Sequence, residues 1–231
     1  MTDLDPDTNG AEAIVKRITL AILEHRLRPG TKLGEEDVAE VFAVSRAKVR
    51  QALMLLAKNG LVELQPSRGA FVAKPSVREA REIFEVRRML EIQSVKNLLK
   101  RVTDEQVQRL RAHVELQRRT LVDRDIFNVA RLFSEFHMMI AEMAGNQLLA
   151  ELLAGIVARS TLVILLYNLT MPTTCSCDEH ACLVEAIAAR NAEEATRLVA
   201  KHLEHLEQAL TLDDEGHAVS DLKRILNSVT V

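Results

Sequence analysis

The chain has 231 residues, 48% apolar and 27% charged, so it can bury a core and falls outside the disordered class. Gly (8), Pro (5) and aromatic residues (3%) are scarce, which excludes the turn- and strand-rich β-sandwich or barrel and leaves a mainly α protein of one or two domains. Thirty Lys+Arg against 33 Asp+Glu give a net charge of −3. Taken whole, that charge speaks against a nucleic-acid partner, although a sum says nothing about how charge is distributed.

The N-terminal residues 1–9 are acidic and polar, read as a disordered tail and not as a signal peptide. From Ala11 to His25, apolar Ile14, Ile18, Ile22 and Leu23 recur at helical spacing, and Pro29-Gly30 then marks a turn. A short helix is expected over Glu35–Phe42 and a third over Arg46–Lys58, with Ser45 as its N-cap and Asn59-Gly60 as its stop. Two strand-like runs, 61–65 and 70–73, flank Pro66-Ser67-Arg68-Gly69. Helix, helix, turn, helix and hairpin is the order of a winged helix-turn-helix. Beyond Pro75 helical periodicity continues in segments near 77–100, 104–123, 126–144, 147–168, 178–189 and 192–211, with Thr103, Asp125 and Asn191 at N-cap positions. The expected organisation is therefore a DNA-binding module over 10–75 and an antiparallel all-helical bundle over 76–231.

The longest uncharged stretch, Ser160–Cys177, contains Thr161, Asn168, Thr170 and Pro172 and is read as a buried central helix, not a bilayer span. Cys175, Cys177 and Cys182 are odd in number and closely spaced, which suits small buried thiols in a reducing cytoplasm and no disulfide framework. A short helix is expected over Asp221–Ser228.

Charge is unevenly spread. Residues 42–74 hold Arg46, Lys48, Arg50, Lys58, Arg68 and Lys74 against Glu63 alone, a local +5. Arg46 and Arg50 lie one turn apart at the start of the third helix, where a recognition helix meets the major groove, and Arg68-Gly69 caps the hairpin as a wing would. Ordinary solvation of a charged helix face is the competing explanation. The balancing acids include Glu35, Glu36 and Asp37 in the second helix.

The phrases LRPGTKL (27–33), VAEVFAVSRAKVRQAL (38–53), NGLVEL (59–64) and SRGAFV (67–72) resemble the GntR family of bacterial transcription regulators. The resemblance implies operator contacts from Ser45, Arg46, Lys48 and Arg50 and wing contacts from Arg68 and Gly69. The EED segment (35–37) departs from the family in leaving no cation there for a phosphate.

FEVRRMLE (84–91), FSEFHMMIAEMAGN (133–146) and EHACLVEAIAARNAEEATRLVAKHL (179–203) resemble the FadR/VanR-type C-terminal domain, also called FCD. That resemblance implies a homodimeric bundle around a polar pocket that often holds a divalent metal such as zinc or nickel on three histidines and an Asp or Asn. His137, His180 and His202 match the histidines, but the carboxylate position, one turn before His137, is Phe133. Ala130 offers no replacement, and Glu135 points about 200° away. Three histidines with a water or an effector carboxylate would still make a zinc-like site. Pocket histidines with no metal, and an apolar-ligand cavity near Phe133 and Leu162–Leu166, are the alternatives.

Arg87 and Arg159 join Phe133 as candidate effector contacts, since a guanidinium fork suits a carboxylate; an ion pair of Arg87 with Glu91 is the competing role. The expected function is a repressor that binds a pseudo-palindromic operator as a dimer under small-molecule control. A metal-dependent hydrolase built on the three histidines is the alternative from another class. The sequence places no acid/base carboxylate for it and contains no GxSxG, HExxH or P-loop pattern.

Overall fold

The computed structural model describes residues 10–167 and 174–212. The acidic tail 1–9, the Asp221–Ser228 helix and the side chain of Cys175 lie outside the described residues. Among those described, the order is α1 (Ala11–Leu23), β1 (Lys32–Leu33), α2 (Glu35–Phe42), α3 (Arg46–Lys58), β2 (Val62–Gln65), β3 (Gly69–Val72), α4 (Val77–Leu99), α5 (Asp104–Val122), α6 (Ile126–Met143), α7 (Gln147–Tyr167), α8 (Thr174–Ala188) and α9 (Ala192–Gln208).

The three N-terminal helices form where apolar residues fall on one face: Ile14, Ile18 and Ile22 of α1, and Val49, Ala52, Leu53 and Leu56 of α3, are buried. Between α2 and α3 the chain reverses through Ala43 at φ 51°, whose amide returns to the last turn of α2. The Ser45 hydroxyl accepts from the Lys48 amide at 3.4 Å and starts α3. β3 is the centre of a small antiparallel sheet in the order β1-β3-β2, with Leu33 opposite Ala70 and Val62 opposite Val72. β1 is two residues long and carries too little pattern to be seen in sequence.

In the helical region Thr103, Asp125 and Asn191 accept from backbone amides as N-caps. Ser76 and Glu79 form a reciprocal capping box that launches α4 just after Pro75. α4 packs on α9, α7 and α6, while α5 packs on α6 and α8. The segments expected near 147–168 and 178–189 correspond to α7, which ends at Tyr167, and α8, which starts at Thr174, four residues ahead of the sequence estimate; residues 168–173 of the uncharged stretch lie outside those described. α7 is long and apolar enough to cross a membrane, with a mean hydropathy of 2.0 over its best window. It is nevertheless a core helix. Leu149, Leu153, Val157, Ala158, Leu162 and Val163 are buried, and the Ser160 and Thr161 hydroxyls donate to the Val157 carbonyl.

One apolar core runs through both regions. Ile14, Ile18, Leu53 and Leu56 share it with Leu149, Leu153, Val157 and Leu162 of α7, and Met138 of α6 packs on its edge. Polar ties reinforce this joint. The Tyr167 hydroxyl donates to the Pro75 carbonyl at 2.8 Å, and the Arg26 guanidinium sits 4.2 Å from the centre of the Phe127 ring. Arg159 also lies here. A Cβ added to Gly60, itself at φ +71°, would meet the Arg159 Nε at 2.9 Å.

Leu153 is fully buried in this shared core. Leu153→Ala is expected to cost about 2–5 kcal/mol in urea-induced unfolding. Because α1 and α7 lose the same packing, fluorescence labels placed in the two regions should report one shifted transition and not two.

Candidate functional site

α6, α8 and α9 each deliver one histidine to the middle of the bundle. His137, His180 and His202 are 3%, 1% and 3% exposed, and one ring nitrogen from each lies within 4.8 Å of the others. The other ring nitrogen of each is held by an acceptor. His137 Nδ1 meets Glu91 Oε2 at 2.6 Å, His180 Nδ1 meets Gln117 Oε1 at 2.9 Å, and His202 Nδ1 meets Glu179 Oε2 at 2.7 Å. The Gln117 orientation is fixed independently, because its Nε2 donates to the Leu132 carbonyl at 3.1 Å. A carboxylate or amide oxygen can only accept, so each Nδ1 carries the proton and each Nε2 is left as a potential ligand.

Those inward nitrogens crowd one another. His180 Nε2 and His202 Nε2 are 3.3 Å apart, and only a shared proton or a cation makes that approach favourable. Two nitrogens bound at about 2.0–2.1 Å to a tetrahedral zinc stand about 3.3 Å apart. The three histidines thus form a cluster whose donor set could hold a divalent metal. The Phe136 ring stacks on His180 at 4.0 Å between centroids, and Phe133 lies at 5.1 Å, so no carboxylate occupies the position one turn before His137.

The acid comes instead from α4. Glu91 is 3% exposed and receives both the His137 Nδ1–H and, at 2.7 Å, the Arg87 Nε–H. Arg87 also donates through Nη1 to the Ser160 hydroxyl at 2.9 Å. Burial pushes the Glu91 carboxyl pKa up, but the charges and hydrogen bonds of His137 and Arg87 outweigh it and hold it at about 2. Burial also holds His137 at about 4, and with the neighbouring histidines keeps His180 well below its ordinary value. At neutral pH, then, Glu91 is a carboxylate beside two neutral imidazoles. Arg87 is an ion-pair partner of Glu91, as the competing sequence reading had it. Arg159 stands apart from the histidines, beside Gly60, with its Nε buried and unpartnered among the described residues.

Sequence reading missed the Nδ1 acceptors Gln117 and Glu179, and saw Glu91 only as an Arg87 partner. A signal existed for two of them. Gln117 continues the buried stripe Val107, Leu110, Val114, and Glu91 lies on the stripe Phe84, Arg87, Val95, Leu98, where apolar residues would be expected. Glu179 has no such pattern; it bridges buried His202 to exposed His205. Cys177 and Cys182 take no part in the cluster. Cys177 is buried as expected, with its thiol directed at the Val114 carbonyl, but Cys182 is exposed on the other side of α8, which corrects the view of it as a buried residue.

On the other face, Arg46, Lys48 and Arg50 are exposed along the first turns of α3, and Arg68 is exposed beside Gly69, which takes φ +101° at the hairpin tip. The acids of α2 sit directly against them. Arg46 Nη1 donates to Glu36 at 2.8 Å, and Arg50 Nε donates to both Glu35 oxygens at 2.8 and 2.9 Å. The +5 counted over 42–74 is therefore partly neutralised by residues just outside that window.

Residues 10–72 match the bacterial regulatory proteins of the gntR family, and residues 82–205 match the FCD domain. The chain is a GntR-family DNA-binding transcriptional regulator with an FCD domain. It is 25% identical over 210 residues to the HTH-type transcriptional repressor RspR of Escherichia coli, covering 90% of this chain and 92% of that protein. The HTH-type transcriptional repressor NanR of Cronobacter sakazakii is 27% identical, covering 84% and 82%. The fold is also that of E. coli McbR/YncC, with a TM-score of 0.78 at 20% identity over 86% of this chain and 97% of the other. A putative GntR regulator from Rhodococcus sp. RHA1 superposes with a TM-score of 0.74 at 23% identity, covering 95% and 99%. Family and relatives are regulators, not enzymes, which removes the hydrolase alternative.

The buried histidines give this GntR regulator an acid-sensitive bundle. Burial holds folded His137 at about 4 against an ordinary 6.5, and His180 is also held well below that ordinary value. The unfolded chain therefore binds more protons, and the stability these groups contribute is full above pH 6.5 and lost as pH falls toward 4. Glu91, at about 2 against an ordinary 4.5, extends the loss below pH 4.5. Urea midpoints of the EDTA-treated chain should fall steadily from pH 7 to pH 4, and a His137→Gln variant should show a shallower decline between pH 6.5 and 4.

Proposed function

We propose that the chain is a repressor that binds a pseudo-palindromic operator as a homodimer and is controlled by a small carboxylate effector at a metal held by His137, His180 and His202. Residues 10–75 serve as the DNA-binding module and residues 76–231 as the effector-binding and dimerisation region. The observation that carries the effector site is the bracing of all three Nδ1 atoms, which leaves three Nε2 lone pairs facing one space. Zinc or nickel suits such imidazole donors. With Phe133 where a fourth protein ligand would stand, a coordination position stays open for water or an effector carboxylate. When bound, the metal supplies the positive charge that attracts that anion. Arg87, committed to Glu91 and Ser160, orients the carboxylate that holds His137 and does not itself meet the effector. Phe133 and Phe136 supply an apolar wall beside His180, and Arg159 serves the joint with the DNA-binding module.

Control of DNA binding follows from packing. α6 carries His137 into the cluster and, on the adjacent residue, Met138 into the core shared with α1. Arg87 ties the Glu91–His137 pair to Ser160 of α7, the helix on which α1 rests. An effector that binds one arrangement of α6 and α7 more tightly than another shifts the placement of the recognition helices. Two copies on a two-fold axis fit half-sites about one helical turn apart, and a regulator of this kind works in the cytoplasm, where the DNA is.

Calorimetric titration of the EDTA-treated chain with zinc or nickel should give about one ion per chain. His180→Ala and His202→Ala should each weaken binding by at least tenfold at pH 7 with the fold retained by circular dichroism. Full affinity in either variant would overturn the metal assignment while leaving DNA binding intact. In gel shifts with genomic fragments, Arg46→Ala and Arg50→Ala should each abolish the specific complex, and a panel of mono- and dicarboxylates should release it only from the metal-loaded wild type.

A further inference from the structure

Two arginines of the recognition helix are held by acids in different ways. Arg50 is gripped by its Nε edge: both Glu35 oxygens converge on that one N–H, at 2.8 and 2.9 Å. Its two terminal nitrogens make no hydrogen bond among the described residues, so the fork is presented open. Arg46 is held by a terminal nitrogen, Nη1, on Glu36, with its Nε 3.6 Å from Glu35. Glu36 is an exposed acid, 78% accessible, while Glu35 is 30% accessible and lines the groove between α3 and the hairpin together with Arg50, Met54, Leu64 and Gly69.

A carboxylate placed at a DNA-binding face repels phosphate, so by charge alone Glu35 weakens binding. Its geometry does the reverse for recognition. A guanine offers two acceptors, O6 and N7, on its major-groove edge, and an arginine reads it with the two terminal nitrogens in one plane. An arginine already fixed through Nε loses less side-chain freedom when it does so.

We propose that Glu35 is the positioning residue that presents the Arg50 fork to a guanine in each operator half-site, while Arg46 exchanges Glu36 for a phosphate. The proposal rests on the chain being a DNA-binding regulator, and it separates two effects of one carboxylate: lower affinity for any duplex, higher discrimination at one base pair.

The test uses duplexes enriched by the full-length wild-type chain from a random pool, with affinities measured by fluorescence anisotropy. A guanine should emerge in each half-site, and Arg50→Ala should lose the preference for it. Glu35→Gln keeps the side-chain size and removes the charge. It should bind random duplex more tightly than wild type, yet its preference for the guanine over the other bases at that position should fall about tenfold. In an Arg50→Ala background Glu35→Gln should leave that preference unchanged. Equal tightening on every duplex, with the guanine preference intact, would make Glu35 a mask and overturn the proposal. Retention of the guanine by Arg50→Ala would overturn it too. Failure of the wild type to enrich any duplex would instead overturn the DNA-binding reading on which it rests, and Glu36→Gln, which should tighten all duplexes equally, confirms that removal of an acid alone does not erase discrimination.

Discussion

The helical region is organised around a carboxylate that has no business in an apolar interior except as a partner. Glu91 is buried, accepts from Arg87 on one oxygen and from His137 on the other, and so satisfies two buried donors on two other positions of the bundle. Such a unit is worth little as a net source of stability, because removing two charges from water offsets most of their attraction. It is costly to break, at about 3–5 kcal/mol for an uncompensated partner. Its effect is therefore on geometry. With Glu91 in place, the His137 ring can take only one tautomer and one orientation, and its Nε2 must face His180 and His202. Gln117 and Glu179 impose the same choice on the other two rings.

The constraint reaches further than the cluster. Arg87 uses its remaining reach to bond Ser160, and the neighbours of Ser160 along α7, Val157 and Ala158, are part of the core that seats α1. Polar contacts that fix the histidines and apolar contacts that fix the DNA-binding module thus meet on the same helix within a turn of one another. α6 does the same from the other side through His137 and Met138. A close-packed interior does not deform smoothly, so a shift of α6 or α7 at the histidines has to be accommodated where α1 packs. In the proposed regulator that is the physical route from effector to operator, and it needs no contact beyond those already described.

Much of this was legible in the amino-acid sequence, and what was not has a physical reason. The helix caps Ser45, Thr103, Asp125 and Asn191 and the burial of Ile14, Ile18 and Ile22 follow from local chemistry, which a single chain displays openly. The histidine cluster followed from resemblance, since nothing local says that residues 43 and 22 positions apart, His137, His180 and His202, will meet. Their acceptors are not legible from the turns that carry the histidines they hold, because Glu91 and Gln117 come from α4 and α5 and Glu179 reaches His202 from α8. A polar residue on an apolar stripe, such as Gln117 or Glu91, is a sequence-visible sign of a buried partner; its partner is not visible. β1 was missed because two residues show no alternation.

Charge shows the same limit on a smaller scale. The net −3 of the chain concealed a basic segment, but the segment in turn concealed its neighbours. Glu35 and Glu36 lie ten to fifteen residues from the arginines they hold, outside any window drawn around the recognition helix and directly beside it in space. A count made along the chain treats them as ballast elsewhere. Placed on the folded surface, they decide which nitrogen atoms of Arg46 and Arg50 are open to a base or a phosphate, and at a binding face the orientation of a cation carries information that its charge does not.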